Sequence, residues 1–161
     1  MRDKRFVAKH RGGSLDLATH RLLANWAADC AEHVLPLFSE HSADERPSRA
    51  IQVARAWAKG EASAGEFRKA AVGAHAAARS VTNKAAIAAA RAAGHAVATA
   101  HMADHCFGPV IYGCKAVQAA GGSPDKERAW QIRRLPKKLR QFMASAVEKR
   151  LTKRRRGTSK T

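Results

Sequence analysis

Twelve residues from Gly94 to His105, GHAVATAHMADH, place three histidines and an aspartate among small apolar side chains. An imidazole or carboxylate in such company is costly unless it is hydrogen-bonded, ion-paired or bound to a metal. If the stretch is helical, His101 and His105 share a face one turn apart, Asp104 follows His101 by three residues, and His95 points about a quarter turn away. Two chemistries fit. One is a polar network that fixes a core. The other is a metal or catalytic site on His101, Asp104 and His105, a donor set that suits zinc or iron. A protease-type zinc helix carries a glutamate next to its first histidine, and here that position is Met102.

A second constellation lies upstream, where Asp29 and His33 are spaced i,i+4 beside Trp26 and Cys30. A buried Asp–His bond is one reading, with Asp29 alternatively accepting from a histidine of the Gly94–His105 stretch and so tying the first helix to the fourth. Cys30 and His33, at i,i+3, also have the spacing of a thiol beside a base. No oxyanion-hole signature accompanies them, and a lone cysteine on an apolar face is ordinarily small filler. No cofactor is expected.

The elements that must position these residues are helices. Apolar residues make up 45% of the chain but aromatics only 6%, and alanine supplies much of the difference, which favours closely packed helices over a sheet. After a basic arm, residues 1–13, Ser14 can cap a helix whose apolar positions Leu22, Leu23, Trp26, Cys30, Val34 and Leu37 recur at threes and fours to about Phe38, with Pro36 kinking its end. Pro47 opens a second helix with Ile51, Ala54 and Trp57 inward, stopped by Gly60. Ser63 with Glu66 forms a capping box for a third. Asn83 caps a fourth that carries the histidine stretch to Cys106 or Phe107, where Gly108-Pro109 breaks it. Val110, Ile111, Cys114 and Val117 face inward on the fifth. Ser123 with Glu127 opens a sixth containing Trp130 and Ile132, and Pro136 ends it or begins a seventh with Leu139, Phe142, Met143 and Val147. The expected fold class is all-α, a single compact bundle of six or seven helices over residues 14–148 with a basic, flexible tail at 149–161.

The formal net charge of +17 is unevenly spread, for residues 126–161 carry 14 Lys or Arg against Glu127 and Glu148. Lys149, Arg150, Lys153, Arg154, Arg155 and Arg156 are candidates for contact with nucleic-acid phosphates, whose mark is affinity that falls steeply with salt. No aromatic residue follows Phe142, so base stacking has no support there. The three cysteines, Cys30, Cys106 and Cys114, have no CxxC spacing, and the first residues resemble no signal peptide. A cytoplasmic protein with reduced thiols is expected. No apolar run is long enough to span a membrane.

Three segments, HRGGSLDLATHRLLANWAADCAEHVLPLF, RPSRAIQVARAWAKGE and AARAAGHAVATAHMADH, resemble in order and spacing the Imm-five-like immunity protein family, over most of the chain. Shared positions include His20, Trp26, Asp29, Cys30, His33, Trp57, His75, Gly94, His95, His101, Asp104 and His105. The resemblance implies a small all-α bacterial protein that binds and neutralises a cognate toxin without catalysis. The rival expectations are a helical nucleic-acid-associated protein anchored by its tail and a His/Asp metal protein.

Overall fold

Alanine decides the centre of the molecule. In the helix Lys84–Ala98 (α5), 10 of 15 residues are buried, nearly all of them alanine. A helix apolar on all sides must be enclosed by others, and side chains this short let neighbouring backbones approach closely. The structure is a computed structural model describing residues 3–158, apart from the side chains of Lys138, Leu151 and residues 153–158. Around α5 stand Leu17–Val34 (α1), Arg46–Ala58 (α3), Ala64–Arg79 (α4) and Phe107–Ala119 (α6), all packed against it. Pro36–Ser39 (α2) is a single turn after α1; Pro124–Arg133 (α7) packs on α6, and Lys137–Thr158 (α8) packs on α6 and α7. Apart from one isolated bridge between Ala8 and Leu15, the described residues form helices, turns and loops. The fold is all-α.

Several helix starts follow local chemistry. Ser63 and Glu66 form the expected reciprocal box, and Asn83 Oδ1 accepts from the Ala86 amide at 3.0 Å. The first cap is displaced. Asp16, rather than Ser14, accepts from the Thr19 amide at 2.8 Å, because a carboxylate two residues on meets the free N–H groups of a helix that begins at Leu17. Pro36 separates α1 from α2, so the long first helix is two elements. The arm is docked: Phe6 is buried, edge-on to Phe107 at 4.9 Å and stacked on Phe142 at 5.5 Å.

Two departures shape the site. The α7 helix buries Glu127 and Gln131, while Trp130 and Ile132 are only half-buried. Glu127 therefore does not close a box on Ser123, whose hydroxyl instead accepts from the Lys126 amide at 3.3 Å. The α8 helix runs through the basic segment to Thr158, and residues 1–2 and 159–161 lie outside the described residues.

Candidate functional site

The helix that carries the histidine stretch, α5, ends at Ala98, eight residues before Cys106, and a long-range bond is made at that point. His20, buried on α1, stands 2.6 Å from the Thr99 carbonyl through Nε2. A carbonyl only accepts, so Nε2 carries the proton. The Thr99 hydroxyl turns back to the His95 carbonyl at 3.1 Å, Met102 is extended, and a short 3-10 turn at Ala103–Cys106 leads directly into α6. His101 and His105 thus do not share a helical face. The break falls at residues 99–102 instead of at Gly108-Pro109, and Pro109 occupies the first turn of α6, where its missing N–H costs nothing.

The turn sorts the histidine stretch between two places. His101 lies near Phe67, with ring centres 6.4 Å apart, and lines a small crevice with His20 and Phe6. His95 and His105 meet, Nδ1 to Nδ1, at 3.4 Å, so one ring must donate while the other presents a lone pair. His75 from α4 stands edge-on to His95 at 5.2 Å, and Tyr112 from α6 stacks on it at 5.3 Å. Two glycines make room for these rings. A Cβ on Gly94 would come within 2.7 Å of the His75 ring, and one on Gly108 within 2.3 Å of His95. Beside the pair opens a cleft of about 350 Å³ lined by His95, Asp104, His105, Tyr112 and Arg150 among others. Asp104 faces Arg150 at 3.9 Å, and the Arg150 guanidinium lies over Phe107 at 4.4 Å. Among the described residues no three His, Cys, Asp or Glu side chains group to hold a metal ion, so the His101, Asp104, His105 set is dispersed by the turn.

The residues of α1 are used for assembly. Asp29 pairs with Arg55 of α3 at 2.8 Å, not with a histidine of the later stretch. The same guanidinium reaches Glu32 at 2.6 Å, and a planar fork satisfying two carboxylates is a stronger partner than a neutral imidazole. His33 turns away from Asp29 to Glu127 of α7 at 2.9 Å, with its ring flat on Trp130 at 3.7 Å. Glu127 is buried and needs this neighbour; Gln131 donates to it at 3.1 Å, while the Gln131 backbone carbonyl accepts from Trp26 at 2.7 Å. Cys30 is fully buried and its thiol is pushed well up by burial and then by Asp29, which removes it as a thiolate nucleophile. Burial likewise pushes Cys106 up, and Cys114 to about 11.

Lys149 is exposed at the end of the described basic run, and Arg150 is committed to the cleft wall. The side chains of Lys153, Arg154, Arg155 and Arg156 lie outside the described residues. His20, His75 and Tyr112 were not singled out by spacing, and Glu127 was read only as part of a helix start. The one local signal for the ring cluster was Gly94 inside an alanine-rich helix, where glycine is unfavourable unless something approaches closely.

Burial pulls His20 below the ordinary imidazole range against the opposing bond to Thr99, and it pulls His75 down together with the charges of Arg79 and Arg91. The unfolded rings take up protons near pH ~6.5 and the folded ones only at lower pH, so the unfolded state binds more protons in that window. Stability must therefore fall as pH descends through ~6.5. Thermal melts at about pH 7.5 and about pH 5.5 should show the lower midpoint in acid, with His20→Gln/His75→Gln flattening the difference. A midpoint that rises on acidification contradicts this.

These features define a class, a helical domain in which Asp29, Glu32, His33 and Glu127 join helices to one another and clefts open along the α5–α6 edge. The family model for the Imm-5 like putative immunity protein matches residues 13–138, from just before α1 to the start of α8, and the chain belongs to that family. No curated protein and no solved structure matches it. Among the described residues no helix is long and apolar enough to cross a membrane.

Proposed function

We propose that the chain is an immunity protein that neutralises a toxin by binding it, without chemistry of its own. The observation that carries this is family membership over residues 13–138, which takes in α1 to α7. The disposition of reactive groups supports the same reading. Asp29 is held by Arg55, His33 by Glu127 and Trp130, and Cys30 is sealed in the core, so the groups that could have done chemistry on α1 serve packing. A rigid scaffold suits an inhibitor, because little conformational freedom is lost when it docks. The partner is a toxin made by the same cell, and its contact surface is neutral or acidic, since a basic inhibitor gains nothing from a basic cleft.

Co-expression tests this. Cells producing the cognate toxin domain should grow only when the chain is produced with it. Equal killing with and without the chain would remove the function.

A further inference from the structure

We infer that the toxin docks on the α5–α6 edge, placing an acidic segment with an apolar side chain over Tyr112 between Lys84, Arg91 and Lys115. This rests on the function proposed above and assigns its contact surface. A second cleft, about 250 Å³, is lined by Lys84, Ile87, Ala88, Arg91, Tyr112, Lys115 and Ala119 and shares Tyr112 with the His95–His105 cleft. No acid is among its lining residues. Lys84 and Arg91 lie two turns apart on one face of α5, and the Arg91 and Lys115 cations stand 5.9 and 5.4 Å from the centre of the Tyr112 ring, within reach of its π face. With Lys84 and Arg91 on one wall and no acid among its lining residues, the cleft is electropositive, and a carboxylate-bearing partner complements it.

The shape selects a protein segment over a nucleic acid. The floor of Ile87, Ala88 and Ala119 is apolar, and a peptide side chain can fill it whereas a phosphodiester backbone has no group to do so. A tyrosine backed by a packed ring and flanked by arginine has the composition of an interface anchor.

The test uses the full chain and two probes, a fluorescein-labelled 15-residue peptide of Glu and Asp with leucine at every fourth position, and a 20-base-pair DNA duplex. Arg91→Glu/Lys115→Glu should weaken peptide binding by about tenfold or more. Arg49→Glu/Lys69→Glu, an equal charge change in a separate cleft between α3 and α4, should leave it within about twofold. Both pairs are on exposed residues, and matching thermal midpoints check that they fold. Equal weakening by the two variants, or by neither, overturns the face. Duplex binding that is lost only in the Arg91/Lys115 variant, with the peptide ignored, overturns the acidic partner in favour of nucleic acid. In co-expression, rescue by the wild type but not by that variant supports the face. Rescue by both overturns the face and leaves the function standing, and no rescue by the wild type fails the function itself whatever the peptide does.

Discussion

Trp26→Ala should lower the thermal midpoint more than any other single truncation considered, by about 6–20 °C. The side chain is 2% exposed in the middle of α1, and its indole N–H donates to the Gln131 carbonyl across to α7 at 2.7 Å. Removing a buried aromatic side chain costs roughly 3–5 kcal/mol, and each kcal/mol is worth about 2–4 °C in a domain of this size. The stranded Gln131 carbonyl adds to the loss. Trp26→Phe keeps most of the apolar surface and loses the hydrogen bond, so it should fall between the two. Calorimetry reads all three, and a shift under about 3 °C for Trp26→Ala would mean that α1 and α7 do not meet as described.

Gly108→Ala should destabilise by about 1–3 kcal/mol, although the same change on an open helix surface stabilises by roughly 0.5–1 kcal/mol. The sign is therefore diagnostic. The new Cβ would lie 2.3 Å from both Cβ and Cγ of His95, atoms near the root of the side chain that cannot swing aside. His95→Ala made together with Gly108→Ala removes the clash, so the double variant should be less destabilised than the sum of the two single changes. Additive losses, or a Gly108→Ala protein that melts at or above the wild-type midpoint, would contradict the stacking of His95 against α6.

How far the fold could be read from the residues depends on how local each cause is. The all-α class and the starts of α4 and α5 were legible because alanine content, helical periodicity and the Ser63 and Asn83 caps act within a few residues. The end of α5 was not, because the bond made there at the Thr99 carbonyl comes from His20, seventy-nine residues away. The break at residues 99–102 disperses the His101, Asp104, His105 set and brings His95 to His105 in its place. The α7 helix misled for a related reason. Glu127 and Gln131 have the residue types of a solvent face, and only His33 and Trp26 arriving from α1 make their burial tolerable. The Gly94–His105 stretch could be recognised as unusual, but its neighbours His75 and Tyr112 come from α4 and α6, which periodicity alone does not bring together.

The central claim is neutralisation by binding, and stoichiometry tests it most directly. Purified chain should be titrated into a fixed amount of the toxin domain while the toxin's own activity is followed. Inhibition by binding predicts activity that falls in a straight line and reaches zero near one equivalent of chain. Complete loss of activity at a small fraction of an equivalent would mean that the chain acts catalytically on the toxin, and undiminished activity at large excess would mean that it does not act on it at all.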